Sequence, residues 1–434
     1  MVITTKEQLE ALYKKLDGQL AFVHVVGSSL TEHTCITTPS SIHFLFDDGV
    51  YMCYAPNHPD APSFGPFQPH RIDSEYSGLL VFDKKKTMHY LGDYSQSLIM
   101  DVSAYAMLYA HNLTVPVPDA YLTNSIKTMM RQFSSFKNVT AAIPLVKWME
   151  FAHTYLVELK RCWDAIPRTE SGQPITHVDR YVIPTLADIE RNGVYTTDGM
   201  VYSEYNIHTS TGRPSNSFGG INFAALNKID GTRERYISRF GENGTLVQFD
   251  YEAFHLRLAA NLMGYELPTT SVHTYLAEQY YGTTEITPEM YEESKARTFA
   301  IMYGQTEDIG DVEFFKKLRE YQSDLWEKYS QAGFVLSGTG RKVVVPKPNN
   351  PAKVFNYLMQ LTETEVSIMS IWKVNQQLSK SHAKVVLYTY DAILLDVPND
   401  ELYMMDLVGY VMADKKYPVR QYRGHNYNDL VLYK

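Results

Sequence analysis

Cysteine is scarce in this chain: Cys35, Cys53 and Cys162 are the only three among 434 residues. They fit a reducing compartment and exclude a zinc site with four cysteine ligands. Long apolar runs are missing as well, and all of them fall short of a membrane span. The opening Met1–Glu10 lacks a signal-peptide core, so a cytoplasmic protein without membrane contact is expected. There is no basic excess, since the formal net charge is −9. A nucleic-acid binder is expected to show a basic stripe. The acidic total counts mildly against one, although the local field matters more than the sum. Disorder is excluded by 44% hydrophobic and 21% charged residues. Tyrosine, by contrast, is plentiful at 33, but most such rings serve cores and interfaces.

The length allows two or three domains, and three zones follow one another without an internal repeat. Residues 1–115 alternate short strand-like runs with turns. Leu20–Val26, Ser41–Phe46, Val50–Tyr54 and Leu79–Phe82 read as strands, Asp47-Asp48-Gly49 as a hairpin turn, and Ser97–Ala110 as a helix. This pattern predicts a small α/β domain. Residues 116–200 are mostly helical, over Ala120–Phe133, Ala141–Trp163 and Pro184–Asn192, with Gly193 as a stop. Lys127, Arg131, Lys137, Lys147, Lys160 and Arg161 make this zone basic. A solvated face and a phosphate-contacting face are both open readings of it. Residues 201–434 carry the chemistry.

Two carboxylates in that last zone end apolar, strand-like runs. Asp250 closes Leu246–Phe249 and is followed by Tyr251; Asp391 sits between Val385–Tyr390 and Ala392–Leu395. Two aspartates far apart in sequence can meet on adjacent strands and hold two divalent metals, which clamp the attacking and leaving oxygens in phosphoryl transfer. Between them Thr287-Pro288-Glu289 marks a helix start, with an N-cap hydroxyl, proline at the first helical position and an acid facing the dipole. The helix should run to Tyr303 and stop at Gly304. Tyr291, Lys295, Phe299 and Tyr303, spaced by four, share one face. An ammonium followed by two rings suits a nucleoside triphosphate, and equally suits a buried aromatic stripe rimmed by a lysine.

The order of segments resembles the polymerase region of the family A DNA polymerases, the DNA polymerase I and phage polymerase superfamily, over most of residues 178–434. Phe249-Asp250-Tyr251 through Arg257 looks like the first palm motif. Lys295 through Phe299 to Tyr303-Gly304 looks like the fingers helix, and Tyr390-Asp391-Ala392 like the last palm motif. Thr211-Gly212-Arg213, Val272-His273-Thr274, Thr339-Gly340-Arg341-Lys342 with Pro346, and Phe355-Asn356 with Gln360 resemble four further segments in family order. The resemblance implies an α+β right-hand polymerase with palm and fingers (fingers about 264–350). A reduced or displaced thumb, helical over 116–200, and an exonuclease-like domain over 1–115 would complete it.

The resemblance also implies roles. Asp250, Asp391 and the Tyr251 carbonyl would hold two magnesium ions, replaceable by manganese. Lys295, with the two aspartates, would be catalytic. Lys295, His273, Phe299, Tyr303, His255 and Tyr291 would surround the nucleotide. Arg213, Asn356, Gln360, Arg257, Arg341 and Tyr390 would hold primer-template DNA. The chain departs from the family pattern at His255, where a glutamate usually excludes the ribose 2′-hydroxyl. It also departs at Tyr291, in place of an arginine, and at Ala392, in place of a second acid. Only residues 195–210 stand where a long helical hairpin is expected. The strand Ala21–Val26 lacks the Asp-x-Glu pair that proofreading chemistry needs. The expectation is a monomeric, template-directed DNA polymerase without proofreading. It would use dNTPs and primer-template DNA in phage replication within a host cytoplasm, with phage or host replication proteins as partners. A sugar-tolerant or RNA-synthesising enzyme and an inactive replication scaffold are the alternatives.

Overall fold

The structure, a computed structural model, describes all residues except 74, 93–97, 111, 134–138, 168–175 and 305–310. Ser97 and Lys137, singled out above, lie outside the described residues. The chain divides into two compact units, Met1–Arg191 and Asn192–Lys434. Helix and sheet are mixed in both, as an α+β chain requires. Among the described residues no helix is long and apolar enough to cross a membrane.

The first unit is built on one sheet. Helix α1 (Lys6–Leu16) is opened by a capping box, in which the Thr5 hydroxyl accepts from the Gln8 amide. There follow β1 (Leu20–Gly27), β2 (Pro39–Phe46), β3 (Tyr51–Tyr54), β4 (Gly78–Val81), α2 (Lys84–Leu91), β5 (Ile99–Asp101) and α3 (Val102–Tyr109). The expected turn joins β2 to β3, with Gly49 at φ +80° donating to the Phe46 carbonyl at 3.0 Å. Strand order is β3-β2-β1-β4-β5. The first three strands are antiparallel, and β4 and β5 continue parallel to β1.

The helices α4 (Asn124–Gln132), α5 (Leu145–Ala165) and α6 (Ile183–Asn192) follow. In α5, Trp148, Phe151, Tyr155, Leu156 and Leu159 recur at threes and fours and are buried in one core with Phe22, Val26 and Leu45 of the sheet. The residues expected to form a helical region of their own over 116–200 therefore share their core with the zone before them. An amphipathic stripe must be covered, and here the sheet covers it. Several basic side chains of this zone pair locally: Lys147 with Glu150, Lys160 with Asp47 and Asp164, Arg161 with Glu158. That matches a solvated face.

Buried ion pairs fill the end of this sheet. The Lys84 ammonium lies 3.0 Å from Asp179, and Glu190 takes Lys85 at 2.8 Å and His89 at 2.8 Å. Asp101 caps α3 by accepting from the amides of Ser103 and Ala104, and also from that of Lys84. Burial pushes its carboxyl up to about 7.

The second unit opens with short ribbons: β6 (Val194–Thr196) with β7 (Gly199–Val201), then β8 (Tyr205–Asn206), β9 (Ser215–Phe218) and β10 (Ile221–Asn222). Its main elements are β11 (Gly244–Tyr251), α7 (Phe254–Met263), α8 (Val272–Tyr281), α9 (Pro288–Met302) and α10 (Glu313–Ala332). The hairpin of β12 (Val335–Leu336) and β13 (Lys342–Val343) precedes α11 (Pro351–Gln377). Then come β14 (Lys384–Tyr388), β15 (Ala392–Pro398), α12 (Met405–Ala413), β16 (Val419–Gly424) and β17 (Val431–Leu432). Five strands form an antiparallel sheet in the order β14-β15-β11-β16-β17. The expected helix start holds, with the Thr287 hydroxyl accepting from the Met290 amide at 3.3 Å. Tyr303 is its C-cap and Gly304, at φ +99°, ends it.

Candidate active site

Strand pairing brings the two aspartates together. In the register of β11 against β15, Asp250 stands opposite Ala392, the neighbour of Asp391. The Tyr251 amide donates to the Asp391 carbonyl at 2.9 Å. The turn carrying Asp391 is tight. Its amide bonds back to the Thr389 carbonyl at 3.1 Å, and Tyr390 between them has φ +74°. This is a γ-turn of the strained hand, a cost of about 1–3 kcal/mol that the surroundings must override. They do so on both sides of Tyr390. Ser367 donates to its carbonyl at 3.0 Å, and the Arg213 guanidinium lies 3.6 Å over its ring.

Like charge and burial act on both carboxyls. Burial, then the charge of Asp391, pushes Asp250 up to about 6, against the pull of Lys228 and Arg420. Burial and the charge of Glu363 push Asp391 up, opposed by Arg213 and His255. Asp391 is exposed at the cleft mouth, so solvent screening tempers its shift. Among the described residues neither aspartate has an ion-pair partner, and no group of three or more His, Cys, Asp or Glu gathers as a metal site. Two carboxyl oxygen donors raised by burial and neighbouring negative charge suit magnesium, which needs few protein ligands and keeps its waters. The Tyr251 ring is not part of this: it is buried, stacked on Phe254 at 4.1 Å, so only its backbone is available.

A cleft of about 340 Å³ opens beside Asp391. Its lining includes Arg213, His255, His273, Phe299, Tyr303 and Glu363. The turn from β11 into α7 shapes it. Ala253 takes φ +50°, which reverses the chain and places His255 on the wall. Phe299 and Tyr303 lie parallel on α9, 6.1 Å apart, and the Tyr303 hydroxyl is 2.7 Å from Nδ1 of His255. His273 sits edge-on to Tyr291 at 6.0 Å and tilted to Phe299 at 5.8 Å. Burial and the nearby Lys295 charge lower its pKa, so its imidazole is neutral near pH 7. The Lys295 ammonium is 6.0 Å from the Tyr291 ring centre. Asp250 faces a second, smaller hollow of about 170 Å³ with Lys228, Gln248, Tyr422 and Tyr427.

The other expected residues divide. Asn356 and Gln360 are half-buried on α11, and the Asn356 Oδ1 meets no hydrogen-bond partner among the described residues. Arg341 lies close to Gly212, beside the Arg213 turn. Arg257, expected on DNA, is a correction. It is buried, and its guanidinium donates to the Glu252 carboxylate and to the carbonyls of Glu252, Pro268 and Thr270. A guanidinium so enclosed ties α7 to the loop after it and has little left for a phosphate.

Glu363 was missed. It is 1% exposed and faces the cleft, bound by Arg213 at 2.9 and 3.1 Å. A signal was present: Asn356, Gln360, Glu363 and Ser367 recur at four, three and four, one continuous face of α11. Lys228 and Arg420 near Asp250 were also missed. They sit in a loop and on a strand whose approach to Asp250 only the fold reveals.

No family model matches the chain. It is 26% identical over 257 residues to a DNA polymerase of Bacillus phage SP01, covering 47% of this chain and 28% of that protein. It is 23% identical over 261 residues to the thermostable DNA polymerase I of Thermus thermophilus, covering 52% and 31%. The chain thus spans less than a third of the length of these curated relatives. A solved structure, the polymerase domain of Pol1 from M. smegmatis in complex with DNA primer-template and dNTP, shares the fold. Its TM-score is 0.68 at 14% identity, over 98% of this chain and 99% of that one.

Proposed function

We propose that this chain, a relative of the family A DNA polymerases, extends a DNA primer on a template with dNTPs in phage replication. The observation that carries the reading is the strand register that sets Asp250 beside Asp391, which borders the cleft walled by Phe299 and Tyr303. In this reading the five-stranded sheet is the palm and residues 264–350 are the fingers. The thumb is reduced, since α4 and α5 are committed to the first unit's core.

The reaction is an in-line displacement. The primer 3′-hydroxyl oxygen bonds to the α-phosphorus, the bond to the bridging oxygen breaks, and pyrophosphate leaves. Asp250 and Asp391, with the Tyr251 carbonyl, would hold two magnesium ions, which when bound supply charge for the attacking and leaving oxygens. Lys295 places a compact cation for the triphosphate. Phe299 and Tyr303 offer flat faces to the incoming base and sugar. Arg213, Arg341, Asn356, Gln360 and Tyr390 border the primer-template path. The protein's contribution is chiefly positioning and preorganised charge.

The first unit reads as an exonuclease-like domain without proofreading. Its sheet has the charged groups to build a site, but Lys84 and Lys85 neutralise Asp179 and Glu190, with His89 at 2.8 Å from Glu190, and β1 brings His24 between Phe151 and Tyr155 rather than acids.

A primer-extension gel with magnesium tests the whole. The intact chain should extend, and Asp250→Ala and Asp391→Ala should abolish extension while DNA binding persists. Near wild-type extension by either variant overturns the site; no extension by the intact chain favours a scaffold. Without nucleotides, a labelled mismatched primer should stay full length, and shortening that persists in Asp250→Ala overturns the loss of proofreading.

A further inference from the structure

Glu363 is the buried carboxylate that no motif explains. Its oxygens meet two partners from different elements. Arg213 approaches at 2.9 and 3.1 Å, and Nε2 of His255 lies 3.1 Å from Oε1. The other imidazole nitrogen is 2.7 Å from the Tyr303 hydroxyl. A line Glu363–His255–Tyr303 therefore crosses the cleft wall from α11 through α7 to the end of α9.

The Tyr303 hydroxyl is hydrogen-bonded to Nδ1, and Nε2 faces the carboxylate at 3.1 Å without the alignment of a hydrogen bond. One ring nitrogen is thus hydrogen-bonded and the other held in a close polar contact, and the imidazole cannot turn without losing one of them. Arg213 holds Glu363 in place from the far side, and Glu363 has almost no access to water.

We propose that Glu363 is a positioning residue for sugar selection: it locks the His255 ring against Tyr303, so that the wall beside the sugar stays closed to a 2′-hydroxyl. The inference rests on the polymerase reading of this cleft. A histidine held only by an exposed tyrosine could swing aside and admit the extra oxygen. Anchored by Glu363, it cannot. Glu363 touches neither substrate nor reacting atoms in this scheme.

The test compares kcat/KM for dNTP and rNTP on one primer-template. Glu363→Met keeps the volume and removes the acceptor; it should cut the deoxy-over-ribo preference by about 10–100-fold, the range for a pocket that loses one steric contact. His255→Ala should cut it similarly, and the double variant no further, because both cut one line. Glu363→Gln, whose amide oxygen keeps the polar contact with Nε2, should keep the preference within about threefold. If Glu363→Met fails to fold, as a melting curve reports, Tyr303→Phe cuts the same line at its other end and should also lower the preference. Equal loss of both kcat/KM values with an unchanged ratio, in whichever of these folds, overturns the proposal and points to a structural or metal-holding carboxylate. Additive effects in the double variant overturn it too. An intact chain that incorporates neither nucleotide sinks the polymerase reading instead.

Discussion

Replacing Asp250 by asparagine should make the protein more stable while destroying its activity. The folded protein raises the Asp250 carboxyl from 3.8 to about 6, through burial and the charge of Asp391. A group with a raised acid pKa costs stability when ionised. That cost is fully present above the folded pKa and fades as the pH falls from about 6 towards the unfolded value near 4. The two-unit shift corresponds to about 3 kcal/mol, and partial contact with water brings the expectation to about 1–3 kcal/mol. Asparagine has nearly the same shape and no charge, so Asp250→Asn recovers this amount in chelator-treated protein. For a unit the size of Asn192–Lys434, that is a rise of roughly 2–10 °C in melting temperature. Melting curves of both proteins with chelator, taken from about pH 8 down to about pH 5, supply the check. The gap should be widest at the alkaline end and shrink on acidification. Magnesium should raise the melting temperature of the wild-type protein and leave the variant unmoved. A variant no more stable than wild type at the alkaline end, or a gap that does not shrink with acid, would refute the claim that burial and the charge of Asp391 raise the Asp250 carboxyl. Stability sacrificed for a charged site is the expected sign of function.

Lys295→Ala should lower kcat/KM for dNTP by a factor equivalent to about 2–4 kcal/mol, the effect of removing one preorganised charge; steady-state kinetics showing less than a tenfold loss would place the triphosphate elsewhere. Arg257→Ala should act on folding, not on DNA. It leaves the Glu252 carboxylate, 10% exposed, without its main partner, at a cost of about 3–5 kcal/mol. Denaturant titration should register that loss, while the salt dependence of DNA binding by the folded fraction stays unchanged.

Local chemistry explains what could be read in advance and where reading failed. The helix start at Thr287-Pro288 and the turn at Gly49 are made by neighbours in sequence, so their residues announce them. Arg257 misled because a surface arginine and a buried one have the same letter. What decided between them was the Glu252, Pro268 and Thr270 oxygens that the loop folds around it. Glu363 was overlooked for the converse reason: its face on α11 was legible, but not the guanidinium and the imidazole that meet it there.

The sequence by itself determined the elements and the candidate chemistry. It placed an aspartate at the end of each of two apolar runs and put an ammonium and two rings on one helical face. These depend on alternation, on helical period and on caps, which act over a few residues. Only the tertiary structure decided which charges share a cavity. Strand register set Asp250 beside Asp391, and burial with that neighbouring charge raised the Asp250 carboxyl, while burial and the charge of Glu363 raised Asp391. The packing of α7, α9 and α11 joined Glu363, His255 and Tyr303 into one line. Electrostatic and hydrogen-bond energies depend on separations of a few ångströms and on exclusion of water. No spacing along the chain encodes those.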